Sequence, residues 1–192
     1  MANKYANKEY FRVDTAGVKN AGVGGRILNV KIDVELPNGV LGGVGAGTIE
    51  GNSKVKQFNL PTSETAKTLV PVLIFKPEIN YDESRSVNKK LGYFRNEAGS
   101  FTEATPLEQY DMIHFSTDYF TKSGDIVKGD VFVMDENGLL VYADGSAINA
   151  NDYKTTFVVT NIKKSWVATY VASTGNRLPQ PYELITVEVN IA

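Results

Sequence analysis

His114 is the single imidazole in a chain of 192 residues. Any general base working near neutral pH would therefore centre on it. It stands in Tyr110-Asp111-Met112-Ile113-His114-Phe115-Ser116, with Asp118 two residues further on. On an extended strand His114 and Ser116 share a face, because successive side chains alternate. That would set a base beside a hydroxyl. Nucleophilic catalysis also needs an orienter behind the base, and the strained Gly-x-Ser-x-Gly elbow that exposes a serine is missing. A strand histidine beside a serine on a sheet face is the expectation. Paired acids such as Glu103 with Glu108, or Asp135 with Glu136, could serve glycoside hydrolysis. They stand at turns and strand ends, where solvated acids are ordinary. Asp125, Asp130, Asp135 and Asp144 are the acids a calcium ion would draw on, and no Asp-x-Asp-x-Asp-Gly loop gathers them. The expectation is a chain with no catalytic residue, no cofactor and no metal.

Composition narrows the chemistry further. With no cysteine, disulfide frameworks, thiolate metal sites and thiol nucleophiles are excluded. One histidine excludes sites built on two imidazoles. Twenty basic residues against 22 acidic ones give a net charge of -2, which argues against a general nucleic-acid binder. The longest apolar run, Leu69 to Phe75, is far shorter than the roughly 20 residues that span a bilayer, so neither nucleic acid nor membrane is an expected partner. Gly43, Gly45 and Gly47 lie in VLGGVGAGTIEG, without the Lys-Ser/Thr of a phosphate loop and without a helix to follow. A mobile loop or a bulged, glycine-bearing strand is the reading there.

The elements that must position these residues are short strands. Leu28, Val30, Ile32, Val34 and Leu36 alternate with polar residues, the pattern of a half-buried strand. Val55–Leu60 and Leu69–Phe75 are further strand candidates, and residues 61–67, PTSETAK, a helical turn or loop. Pro71 places the Leu69–Phe75 segment near a sheet edge or bulge. Leu107–Phe115, Asp130–Asp135, Leu139–Ala143, Thr156–Ile162, Trp166–Ala172 and Glu183–Ile191 follow, with a hairpin signal at Glu136-Asn137-Gly138. The expected fold class is all-β, an antiparallel barrel or sandwich, with an extended N-terminal arm and a glycine-rich loop. Residues 1–26 read as the arm and 27–192 as the β domain, in which 27–80 is either a separate subregion or part of a barrel-like core over 81–192. The arm carries five basic residues against two acidic ones, with Tyr5, Tyr10 and Phe11 among them. Aromatic residues and arginine anchor interfaces, so Tyr5, Tyr10, Phe11 and Arg12 are candidate contacts to a partner.

Three segments carry a resemblance. Tyr93 to Gly99 has the form Tyr-x-x-Asn-Glu-Ala-Gly with aromatic Phe94 inside it, Asp111 to Ser116 follows, and Val127 to Val133 is Val-Lys-Gly-Asp-Val-Phe-Val. Over residues 81–191 the chain resembles head decoration, or capsid cement, proteins of tailed phages, small proteins encoded beside the major capsid protein. The resemblance implies a structural virion protein on the capsid exterior, made in the bacterial host cytoplasm. Its implied partner is the major capsid protein, its implied assembly a homo-oligomer, with a trimer natural at local three-fold positions. Arg95 and Glu97 then join the candidate contacts, presented by a loop that otherwise serves to pin Tyr93 and Phe94 into the core. The alternative is a carbohydrate-binding or receptor-binding β module, for which Trp166 and the Tyr-rich strands are the candidate platforms. An acid-only glycan hydrolase is the third expectation, short of reagents for the roles a site must fill.

Overall fold

The computed structural model describes residues 12–21, 26–46, 49, 54–76, 95–170 and 177–192, with the backbone alone for 165–170 and 177–182. Among the described residues twelve strands follow one another: β1 Val13–Gly17, β2 Leu28–Lys31, β3 Leu41–Val44, β4 Val55–Asn59, β5 Val72–Ile74 and β6 Phe101–Pro106. Then come β7 Met112–Ser116, β8 Phe120–Thr121, β9 Val131–Met134, β10 Leu140–Tyr142, β11 Thr155–Tyr170 and β12 Arg177–Ile191. One short α-helix among the described residues, α1 (Thr65–Thr68), interrupts them. Thr62 starts it by a reciprocal exchange: its Oγ1 accepts the Thr65 N–H at 3.2 Å and its N–H donates to Thr65 Oγ1 at 2.7 Å. The chain is all-β, as its alternation implies.

Five strands close a barrel in the order β2-β4-β3-β5-β6, and seven form a sheet in the order β1-β7-β12-β11-β9-β10-β8. Pairing is antiparallel except for β2 with β4 and β8 with β10. The barrel draws on residues 28–106 and the sheet on 13–17 and 112–191. The glycine-bearing segment supplies a barrel strand rather than only a loop. A Cβ on Gly42 would lie 2.4 Å from the Phe58 ring and 2.6 Å from the Asn59 carbonyl oxygen, so β3 reaches β4 only with glycine there. Pro71 precedes β5 instead of interrupting it, and its missing N–H breaks no ladder bond.

Barrel and sheet share one core. Val30, Ile32, Leu41, Leu73 and Ile74 from the barrel join Ile113, Phe115, Phe132, Phe157, Ile185 and Val187 from one face of the sheet in a single buried cluster. Within it Phe115 and Tyr119 lie 4.7 Å apart, Phe120 and Phe132 4.9 Å, and Phe132 and Tyr142 5.7 Å. Such tilted and edge-on pairs add to plain burial.

Several expectations change in detail. The single strand expected over Leu107–Phe115 is a turn followed by β7, because buried Asp111 folds the chain on itself. Its carboxylate accepts the Glu108 N–H at 2.7 Å and the Lys19 N–H at 3.0 Å. Tyr110 takes a left-handed φ of 68° there, held by its N–H donating to the Val189 carbonyl at 2.8 Å. The strand expected over 28–36 ends at Lys31, and Leu36 returns only as a bridge to Asn96. The arm expected over 1–26 contains β1, which pairs with β7 (Val13 opposite Phe115) and is followed by a 3-10 turn over Lys19–Ala21.

Candidate functional site

His114 meets a different partner from the one its sequence neighbours offer. Its Nδ1 lies 2.8 Å from Thr186 Oγ1 on β12. Ser116 is buried and belongs to the backbone: its Oγ accepts the Arg12 N–H at 3.0 Å and its N–H donates to the Arg12 carbonyl at 2.9 Å. Asp14, His114 and Thr186 stand abreast on β1, β7 and β12. The Asp14 carboxylate accepts the Ala16 N–H at 3.0 Å, an Asx turn. The histidine thus sits on a sheet face, as the strand pattern implied.

Three of the acids offered for a cation, Asp130, Asp135 and Asp144, are separate turn devices. Asp130 accepts the Val127 N–H at 2.8 Å and pairs with Lys122, whose Nζ lies 4.5 Å from the centre of the Tyr142 ring. Asp135 accepts the N–H groups of Asn137 and Leu139, both at 2.8 Å, and so shapes the β9–β10 hairpin. Asp144 Oδ1 accepts three N–H groups, Ser146 and Ala147 at 2.9 Å and Ile148 at 3.2 Å. Among the described residues no three His, Asp or Glu side chains are placed to share a metal ion, and no helix is long and apolar enough to cross a membrane.

The Asp144 turn carries a pH signature. Backbone N–H groups of Ser146 and Ile148, foremost among its neighbours, hold its carboxyl below the ordinary value of 3.8. A group whose folded value is lowered stabilises the fold at pH above its unfolded value, and that contribution is lost as pH falls through the folded value. In an amide NMR titration, Ser146, Ala147 and Ile148 should shift together with a midpoint below 3.8. In Asp144→Asn the shared transition should vanish. A midpoint at or above the ordinary value would contradict the three-donor geometry.

The contact residues read from the sequence fall in different places. Tyr5, Tyr10 and Phe11 lie outside the described residues, as do Tyr93 and Phe94. Arg12 is half-buried, with its backbone bonded to Ser116 as an extension of β1. Glu97 is exposed on a turn that Gly99 closes with a φ of 77°, and Arg95 beside it is half-buried. Asn96 between them is the structural pin: its amide donates to the Leu36 carbonyl at 3.2 Å and to Asn38 Oδ1 at 3.1 Å, and its Oδ1 accepts Thr102 Oγ1 at 2.8 Å. The Asn38 carbonyl in turn accepts the Tyr119 hydroxyl, which ties the Glu97 turn to the segment after β7. Asn96, Asp111 and Asp130, one from each segment of the resemblance, are buried hydrogen-bonding residues.

What composition and motif did not reveal is the hairpin of β11 and β12. It pairs over its whole length, from Thr155 opposite Ile191 to Tyr170 opposite Arg177. The sheet supports only its base: β9 pairs with Phe157 and Val158, and β7 with Leu184–Glu188. Among the described residues, the remainder pairs with itself alone and runs on roughly 20–25 Å past the end of β7. A register shift between Val159 and Asn161, a bulge at Thr160, marks its departure. The same row of the sheet holds Leu184, Ser116 and Arg12. The ribbon and Arg12, the first described residue, therefore lie at one end of one sheet. Trp166 lies on the ribbon, and only its backbone is described. Comparison of the chain with family models, with curated proteins and with solved structures returns no match.

Proposed function

We propose that this chain works by adhesion, as a structural protein that decorates the outer surface of a tailed-phage capsid and holds neighbouring major capsid subunits together. The observation that carries the adhesive part is that the ribbon and Arg12, where the described chain begins, lie at one end of one sheet. The identity of the partner rests on the resemblance over residues 81–191. A shell under internal DNA pressure fails where capsomers part. A protein that binds the assembled lattice better than the free subunit favours the joined state by mass action. Two extensions on one body can engage adjacent subunits, and linked contacts of modest strength give large avidity. In this reading Tyr5, Tyr10 and Phe11 supply aromatic anchors, Arg12 fixes where they leave the sheet, and Arg95 and Glu97 form a second contact.

Particles assembled without the protein should lose their DNA at a lower temperature than complete particles, and purified protein added back should restore them. Replacing Tyr5, Tyr10 and Phe11 together by Ala should weaken binding to particles at least about tenfold, since buried aromatic anchors are worth about 1–2 kcal/mol or more each. Particles whose heat resistance is the same with and without the protein would refute the function. Undiminished binding of the triple variant would refute the role of the arm.

A further inference from the structure

The two long edges of the ribbon differ, and the difference selects a partner. On β12 the N–H of Val189 donates to the Asp111 carbonyl and its own carbonyl accepts the Tyr110 N–H. Odd-numbered residues of β12 thus turn their backbone groups toward the β7 side. Past the end of β7 that edge presents residues 183, 181, 179 and 177 in turn. Two of these four are Pro181 and Pro179, which have no N–H to offer. Proline at successive outward positions is how an exposed edge is closed to strand addition.

The β11 edge is not closed. The Val159 N–H donates to the Asp130 carbonyl at 2.9 Å, on the β9 side. The bulge at Thr160 reverses the phase, so beyond it the even-numbered residues face outward on that side. The Ile162 N–H is taken by the side chain of Asn161 at 3.0 Å. Lys164, Trp166, Ala168 and Tyr170 follow, each with an N–H and a carbonyl on the open side, and among the described residues no strand pairs with them there. A two-stranded ribbon of this length is marginal by itself in water.

We propose that the β11 edge is the interface between two copies of this chain. The ribbons pair β11 to β11, antiparallel about a two-fold axis, into one four-stranded sheet. A second copy is the occupant the edges favour, because it alone presents this same open edge while carrying its own prolines on the far side. The product ends at two closed edges and cannot grow. A head-to-tail ring, including a trimer, would need β11 to pair with a β12 edge that lacks two donors. The register that uses all four outward residues sets Lys164 opposite Tyr170 and Trp166 opposite Ala168, with Val167 at the axis, and forms about eight backbone hydrogen bonds. It also separates the two copies of Lys164. This pairing stands independently of the capsid reading, since it concerns the purified chain alone.

The test uses the full chain, which has no native cysteine. Val167→Cys places one thiol at the axis, at a non-hydrogen-bonded position where cross-strand Cβ atoms come closest. Mild oxidation should convert it to a covalent dimer that reductant reverses, whereas Ala147→Cys, on an exposed turn of the body, should not crosslink. Light scattering should give twice the chain mass for the wild type. It should give the single mass for Ala168→Pro, which closes the β11 edge in the way Pro179 closes that of β12. Pro179→Ala with Pro181→Ala should produce assemblies that grow with concentration. A wild-type monomer or trimer, equal crosslinking of both cysteine variants, or a dimer untouched by Ala168→Pro would overturn the interface. Failure of the double alanine variant to grow would overturn the closed-edge argument. Because the crosslinking arm contains no new proline, a folding defect in Ala168→Pro would not decide the outcome.

Discussion

Gly138→Ala should cost about 4 kcal/mol of stability, more than the usual range for a point substitution. Two costs fall on the same residue. Its φ of 70° is left-handed, which a residue with a Cβ adopts at a cost of about 1 kcal/mol. That Cβ would then lie 2.1 Å from the Leu41 carbonyl oxygen and 2.7 Å from Val40 Cγ1. The first obstacle is backbone, so no rotamer change relieves it. Moving the turn away would break the bond from the Leu41 N–H to the Gly138 carbonyl, 2.9 Å long. Gly138 is where the β9–β10 hairpin of the sheet touches β3 of the barrel, so the loss should appear as one cooperative transition rather than as the melting of one unit. Gly145→Ala is the control. Its φ is 78° with nothing within 4 Å of the added atom, and it should cost only about 1 kcal/mol. Denaturant midpoints of the two variants, compared at equal slope, measure the contact directly. Equal losses would mean that barrel and sheet do not meet at this glycine.

Asp111→Ala should be the next largest effect, about 3 kcal/mol. The carboxylate is fully buried and serves two backbone donors, Glu108 in its own turn and Lys19 far away in the chain. Removing it leaves both N–H groups without that acceptor, and hydrogen bonds to a charged group are worth about 1.5–3 kcal/mol each. The turn that carries Tyr110 in its left-handed conformation loses its brace at the same time. Asp111→Asn should recover part of the loss, since its amide oxygen replaces one acceptor while its NH2 faces a donor. Hydrogen exchange should rise at Lys19–Ala21 in both variants, more so in the alanine one. An alanine variant within about 0.5 kcal/mol of wild type, the range of ordinary surface changes, would show that the two bonds do not hold the turn.

Much of the fold was legible because strands bury one face. Alternation from Leu28 to Leu36 and from Ile185 to Ile191 marks most of the side chains that enter the core, and the buried residues Val30, Ile32, Leu36, Ile185, Val187 and Val189 are among those it selects, while Val34, which it also selects, is exposed. Asn137-Gly138 announces a hairpin because a tight turn needs positive φ, and the hairpin is there. The candidate contacts were less legible. Arg12 reads as arm because its neighbours are polar, yet its backbone belongs to the sheet through Ser116, a residue more than a hundred positions away.

Side-chain chemistry along the chain thus determined that this protein is built from strands, where many of its turns fall, and that thiol and two-imidazole chemistry is closed to it. Tertiary structure alone decided which strands distant in the chain pair. It put β1 on β7, closed five strands into a barrel, and left β11 and β12, among the described residues, paired only with each other beyond β7. The reason is physical. Ladder hydrogen bonds join backbone groups that every residue except proline carries, so pairing partners leave almost no mark on residue type. Apart from a hairpin turn such as Asn137-Gly138, it is at a closed edge, at Pro179 and Pro181, that the backbone's pairing becomes visible in the sequence, and its meaning depends on knowing which way those two residues face.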